Sequence, residues 1–447
     1  MNSNKTSSMS FGLRAMSLGK FLIIILAMMF FVGCANTGTV TSPSGSSENS
    51  SEGTGSESSD GEGSNNESTN ESKSNSSRSG GSMTSSTTGG PVPPPLDGFV
   101  STGKEWLSMS KNTTGSRYIV DANGKPVRLY AMARCQYHAA DIEDPGYGGL
   151  DGLCKYFKDL GCNSIRLAFV QNVQTNQSVD FIMQCGGYNE AGIKKYIEKY
   201  IDPEVQIIIS NGMYVILDLH MYPKSYENPS EIGQHAKDHY IPIWRELAKK
   251  YKDEPMIAMY ELWNEPHPAD MGKLPLTAVG TVASGPYKGY DFNSDIRDFY
   301  LECAAEIRKY DTKHIMMLSD FNAGWGCAWD DTWEYNPNAA DPVYKNVIFS
   351  QHASTTQLET EYEFYKKWWN DLATKHNIGL MFGEVETGDV YMTRKGMQNF
   401  VAMLTETKDT HHYSSALWRP FNFKQENYID VWRDFARSYA TEFNYAK

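Results

Sequence analysis

Two apolar runs in this chain each end on a glutamate. Ile257 to Pro268 reads I-A-M-Y-E-L-W-N-E-P-H-P, and Ile378 to Thr387 reads I-G-L-M-F-G-E-V-E-T. The first half of each suits a strand buried on both faces, which leaves Glu265 and Glu384 at C-terminal strand tips. Asn264 precedes Glu265 and Pro266 fixes the chain after it, while Gly383 precedes Glu384. Either carboxylate alone could cap a helix or pair with an arginine. Together they are the minimum equipment for breaking a glycosidic bond, one protonating the leaving oxygen and the other attacking or activating water. That chemistry needs no metal and no cofactor.

Further polar groups sit on comparable runs. Arg166 lies within N-S-I-R-L-A-F-V (163–170), where a buried arginine must be paired, either with some core carboxylate or with Glu384. His220 ends M-Y-V-I-L-D-L-H, His352 is near the end of N-V-I-F-S-Q-H-A, and Trp418 closes S-S-A-L-W-R-P. Arg134, Gln136, Tyr137 and His138 follow an earlier run, with His138 a candidate substrate contact. Asn322 to Pro337 interleaves Trp325, Trp329 and Trp333 with Asp and Asn, as a sugar site would, since rings stack on C–H faces while polar groups meet hydroxyls. The competing reading makes the three tryptophans a small core under their own loop.

These residues need a scaffold that brings many strand tips together. Eight strand candidates can be marked: a first strand whose tip carries Arg134, then 163–170, 213–220, 257–265, 314–319, 346–353, the run delivering Glu384, and 414–420. Helical segments are predicted between them at 150–160, 190–211 (interrupted by Pro203), 235–252, 291–310, 361–376 and 393–405. The alternation predicts an α/β fold, a parallel (β/α)8 TIM barrel whose loops after the strands build the active face. Before it, 117–120 and 127–132 are joined through Asn123-Gly124, a hairpin signal expected to close the barrel floor.

The N-terminus reads differently. Lys5, Arg14 and Lys20 precede a continuous apolar run from Phe21 to Val32, too short to span a bilayer, then Gly33-Cys34. Phe31-Val32-Gly33-Cys34 resembles a bacterial lipobox, so residues 1–33 are read as a lipoprotein signal peptide and Cys34 as lipidated, with an ordinary cleaved signal as the alternative. Residues 34–95 are mostly Ser, Gly, Thr, Asn and Glu and end in prolines. Their apolar surface is too small to offset ordering entropy, which predicts a disordered tether. The expected location is a cell surface or membrane, reached by export. Residues 96–447 remain for the catalytic domain, expected to act as a monomer. A net charge of −13 in 447 residues without a basic cluster argues against nucleic acid and for a neutral partner. Six of the seven cysteines lie in this domain without metal-ligand spacing, and could be paired or buried as thiols.

With Arg166, His220, Asn264-Glu265-Pro266, His352, Gly383-Glu384 and Trp418 on successive strands, the domain resembles glycoside hydrolase family 5, the cellulase family. The resemblance covers nearly all of 96–447, including the 121–125 hairpin. It implies a retaining enzyme in which Glu265 is the general acid/base, Glu384 the nucleophile, Arg166 and His220 arrange the site, Asn264 is near the sugar 2-hydroxyl, and Trp418 lies under the sugar. It implies carboxyl groups about 5–5.5 Å apart. Glu384 is expected to be ionised beside Arg166, and Glu265 to rest protonated next to that charge. The family usually has tyrosine where this chain has Ser354, so either another tyrosine substitutes or the nucleophile is held less firmly. The expected activity is endo-cleavage of β-1,4-glucan. The alternatives are a mannanase or a xyloglucan or mixed-linkage glucanase, a transferase using a sugar acceptor, and a non-catalytic glycan-binding lipoprotein.

Overall fold

The computed structural model describes residues 105–111, 114–135, 147–169, 181–220, 228–267, 277, 280–319, 346–386, 392–418 and 428–442. The expected signal, Cys34 and the tether lie outside these residues, as do Gln136, Tyr137, His138, Trp325, Trp329, Trp333 and Cys327.

A closed barrel of eight parallel strands organises the domain: β3 (Tyr130–Cys135), β4 (Ser164–Phe169), β5 (Tyr214–Leu219), β6 (Ile257–Glu261), β7 (Ile315–Ser319), β8 (Val347–Ala353), β9 (Leu380–Glu386) and β10 (Ser414–Trp418), with β10 closing onto β3. All eight predicted strands are present. The largest shift of a stated bound is in the fourth, which ends at Glu261 instead of Glu265; the run 127–132, expected in a hairpin ahead of the barrel, instead gives Tyr130–Met132 to the first barrel strand. Two short strands come before it. β1 (Ser108–Met109) pairs antiparallel with β2 (Ile119–Val120), a partner that the sequence did not indicate. The 121–125 turn is present as expected: Asp121 Oδ1 accepts the amides of Asn123 and Lys125 (both 2.9 Å), and Gly124 adopts φ 79°.

Side chains alternate across each strand, and two cores result. Outside the barrel, Leu167, Leu217, Tyr260, Phe349 and Phe382 pack under the helices. Inside, Ile216, Met259, Met317, Ile348 and Met381 stack with Leu107, just before β1, and with Met109 and Ile119 from the β1–β2 pair, which plug the floor. The inward positions one step further along β4, β5 and β6 are Arg166, Asp218 and Glu261, so the interior turns from apolar to charged toward the C-terminal end.

The surrounding helices include α1 (Leu150–Asp159), α2 (Phe181–Gln184), α3 (Glu190–Tyr196), α4 (Asp202–Ser210), α5 (Ser230–Tyr251), α6 (Phe292–Arg308), α7 (Thr355–Glu359), α8 (Tyr362–Lys375), α9 (Arg394–Glu406) and α10 (Ile429–Glu442). Pro203 does not break the 190–211 stretch. A π-helical turn over Ile197–Ile201 widens the spiral just ahead of it, and Pro203 falls in the first turn of α4, where its missing N–H costs nothing. Cys154, Cys162, Cys185 and Cys303 are buried thiols outside any disulfide. Burial pushes Cys154 and Cys162 up to about 12, so they are inert packing residues.

Candidate active site

Arg166 is the hub of the upper barrel. It is fully buried and inward-facing on β4. Its Nε donates to Glu261 Oε2 at 2.6 Å and its Nη2 to Glu261 Oε1 at 2.9 Å, a bidentate pair. Nη2 also donates to Asn264 Oδ1 at 2.6 Å and lies 3.0 Å from Asp218 Oδ2, while Nη1 donates to Glu384 Oε1 at 2.8 Å. Both alternatives for its partner therefore hold: Arg166 takes Glu384 and two core carboxylates besides. One guanidinium cannot neutralise three carboxylates. Burial, relieved by Arg166 but reinforced by Asp218, raises Glu261 to about 7. Glu261 and Asp218 were not singled out from the sequence, although an acid inside an apolar strand, as in I-A-M-Y-E and V-I-L-D, was the available signal.

His220 Nδ1 donates to Asp218 Oδ2 at 2.9 Å, and Asn264 Nδ2 reaches His220 Nε2 at 3.4 Å. Burial works against the charged ring, but Asp218 outweighs it and the pKa of His220 is raised. Trp418 stacks on the same ring at 4.9 Å and 10°. Asn264 is wholly buried with its carbonyl oxygen on Arg166, which makes it a brace of the cluster in this geometry.

Glu384 owes its inward aim to a fault in the ladder. β8 and β9 pair as Gln351↔Phe382 and then His352↔Glu384, leaving Gly383 as the extra residue of a bulge. Without that extra residue the two-residue alternation would turn Glu384 outward. Glu265 is aimed by its own backbone, with φ 41° in the left-handed region that a non-glycine residue rarely adopts. One oxygen of Glu265, one of Glu384 and a ring nitrogen of His352 lie within 4.8 Å of one another. His352 Nδ1 donates to Glu265 Oε1 at 2.8 Å and is 3.6 Å from Glu384 Oε2.

One expectation is overturned here. Glu265 does not rest protonated: burial pushes its carboxyl up, but the hydrogen bond and charge of His352 prevail and hold it below the usual carboxylate range. His352 is correspondingly raised, because Glu384 and Glu265 outweigh burial and Arg166. The expectation counted only Glu384's charge and left out the imidazole between the two acids. Ser354 is also explained. It begins α7, and its backbone N–H donates to Gln357 Oε1 at 2.8 Å. Among the described residues no tyrosine hydroxyl bonds Glu384, which is held by Arg166 and approached by His352.

The cellulase family description, glycosyl hydrolase family 5, matches residues 120–424. This chain belongs to glycosyl hydrolase family 5. Among similar proteins, a β-xylosidase of Phanerodontia chrysosporium is 24% identical over 332 residues, covering 64% of this chain and 61% of its own. Endoglucanase A of Butyrivibrio fibrisolvens is 28% identical over 152 residues, 34% of this chain and 30% of its own. The chain thus spans less than two thirds of the length of these curated relatives. A solved β-glucanase of Saccharophagus degradans is 15% identical, with a TM-score of 0.49 over 78% of this chain and 98% of that one.

Proposed function

We propose that this family 5 member is a retaining, endo-acting glycoside hydrolase that cleaves β-1,4-linked glucan by double displacement. Glu384 attacks the anomeric carbon while the proton shared between His352 and Glu265 passes through Glu265 to the departing oxygen. Glu265 then takes a proton from the water that releases the glycosyl-enzyme, which restores the pair.

The observation that carries this reading is the approach of Glu265 and Glu384 oxygens within 4.8 Å, with His352 between them and Arg166 on Glu384. That spacing fits a nucleophile facing an acid/base, and is too short for the interposed water of an inverting pair, whose carboxyls stand about 6.5–9.5 Å apart. A complete pair also favours catalysis over mere glycan binding. The cellulase family match and the endoglucanase relative favour glucan. The β-xylosidase relative favours a second reading, the same mechanism on a different β-glycan.

A panel of pure β-1,4-glucan, mixed-linkage glucan, xyloglucan, mannan and xylan, with product lengths recorded, tests both. Oligosaccharides of several lengths from glucan are expected. Cleavage confined to another glycan, or release of single sugars only, would overturn the glucan or the endo assignment. Conversion of glucan into longer chains at high substrate would indicate transfer in place of hydrolysis. For the N-terminus we propose a lipid on Cys34 and a tether over 34–95 holding the domain at a cell surface. Incorporation of a labelled fatty acid that survives Cys34→Ala would refute it.

A further inference from the structure

Asp218 is a carboxylate that the cluster does not need for charge. Arg166 already has a bidentate partner in Glu261 and another in Glu384, and Asp218 adds to the negative charge that raises Glu261. A buried acid that worsens the local charge balance calls for another reason to be there. Its contacts supply one. Two donors converge on a single oxygen: Oδ2 lies 3.0 Å from Arg166 Nη2 and accepts His220 Nδ1–H at 2.9 Å, while Oδ1 has no partner among the described residues.

Asp218 and His220 are two residues apart, so strand alternation turns both inward while Leu219 packs in the outer core. The imidazole is held at both edges and on one face. Its Nδ1 is on Asp218, and its Nε2 faces Asn264 Nδ2 at 3.4 Å, an amide that Arg166 Nη2 fixes by donating to Asn264 Oδ1 at 2.6 Å. Arg166, Asp218, His220 and Asn264 thus form a closed circuit. On the face of the imidazole lies Trp418, with ring centroids 4.9 Å apart and planes inclined by 10°, and Arg166 Cζ is 5.5 Å from the indole centroid. The strand that carries Trp418, β10, is separated from β5 by β3 and β4 around the barrel. No ladder hydrogen bond therefore joins Trp418 to β5, and the stack ties the two together across the barrel.

We infer that Asp218 is a positioning residue for the ring on which a sugar would rest: by holding His220 Nδ1–H it fixes the plane of the imidazole, and through the stack the plane of Trp418. A carboxylate only accepts hydrogen bonds, and Nδ1 carries its hydrogen both in the neutral tautomer that bonds Asp218 and in the cation. The hold is therefore the same whatever the charge of His220. Arg166, Glu384 and Glu265 are the other charged groups facing that ring. Loss of Asp218 frees rotation of the imidazole and with it the tilt of the indole, so a sugar stacked on Trp418 loses a fixed, flat partner.

The consequence for substrate rests on the proposed function, while the ring geometry does not, so the experiment has two arms. In the first, the intact protein is labelled with 5-fluorotryptophan, and the Trp418 fluorine resonance is identified by its absence from Trp418→Phe. Asp218→Ala should broaden or double that resonance and leave those of the other tryptophans unmoved. Asp218→Asn should keep it sharp, because the amide oxygen can stand where Oδ2 stands and the amide nitrogen where Oδ1 does. His220→Leu, which removes the stacked ring, should broaden the same resonance and serves if Asp218→Ala does not fold. A sharp, unshifted Trp418 signal in Asp218→Ala or His220→Leu would overturn the inference, as would a change spread over all the tryptophans. Disturbance in Asp218→Asn equal to that in Asp218→Ala would overturn it too, by showing that Asp218 supplies charge and not position. In the second arm, KM on a β-1,4-linked oligoglucan should rise about 10-fold in Asp218→Ala, the worth of one aromatic contact, with kcat within about 3-fold of the parent. Asp218→Asn should recover most of that loss. Equal falls in kcat and kcat/KM would place Asp218 in the chemistry and overturn the positioning role. A parent inactive on every glycan would refute the proposed function and leave the fluorine spectra to decide what Asp218 holds.

Discussion

The two ends of the barrel each carry a buried histidine bonded to a carboxylate, and the pairs differ in one respect. At the N-terminal end Asp311 accepts the Tyr260 hydroxyl at 2.8 Å, the backbone amides of Lys313 and His314, and His314 Nδ1, while His314 Nε2 donates to Glu254 O at 3.0 Å. Both ring nitrogens are used. At the C-terminal end His352 uses Nδ1 on Glu265 and leaves Nε2 without a partner among the described residues. The closed network fixes the β6–β7 connection. The open one engages a single edge of its ring among the described residues. The two also respond oppositely to pH, since Asp311 is held down at about 2 by His314 and Tyr260 against burial, whereas Glu261 and His352 are raised.

Substitution at the two ends should separate activity from stability. Glu384→Ala should lose activity by about 10⁵–10⁶-fold, as expected for removal of a covalent nucleophile, and Glu265→Ala by about 10²–10⁴-fold, with near-native melting in both. Loss of folding without specific loss of activity would erase the contrast. His352→Gln should cost about 10- to 100-fold in kcat, one or two charge-assisted hydrogen bonds' worth, and move the alkaline limb of the rate profile to lower pH. Asp311→Ala should do the reverse, costing about 1–3 kcal/mol in denaturant melts by stranding Tyr260 and His314 while kcat stays at the parent value.

The pH dependence of melting sharpens the comparison. Glu261's folded pKa is raised from 4.5 to about 7, so the stability it contributes is complete below 4.5 and lost as pH rises through 7. His352 and His220, also raised, add to that fall above 6.5. Asp311, lowered from 3.8, contributes stability present above 3.8 and lost as pH falls toward 2. Melting temperature should therefore drop by a few degrees between pH 6 and 8, a slope that Glu261→Gln flattens and Asp311→Asn does not. The smallest expected effect is Gln357→Ala, about 1 kcal/mol of stability with unaltered rates, because Ser354 serves a helix start and not the nucleophile.

The barrel and the meeting of Glu265 with Glu384 were legible in the sequence because buried parallel strands are apolar until they stop, and a polar residue at the stop marks the tip. Arg166 was legible as a charge that had to be paired. Asp218, one residue inside the end of β5, and Glu261, the last residue of β6 but followed by Leu262 and Trp263, were passed over because the apolar run continues beyond each of them. The proton's resting place was misread because it depends on a contact between Glu265 and His352, 87 positions apart, that no local pattern encodes. β1 and α10 escaped for the opposite reason, having no chemistry to draw attention to them.

The left-handed backbone at Glu265 implies an internal conflict of interest. A glycine at that position would relax the main chain and discard the acid in one change, so the hardiest version of this protein should also be an idle one. Selection for heat tolerance alone, without a demand for turnover, would be expected to find that exit early.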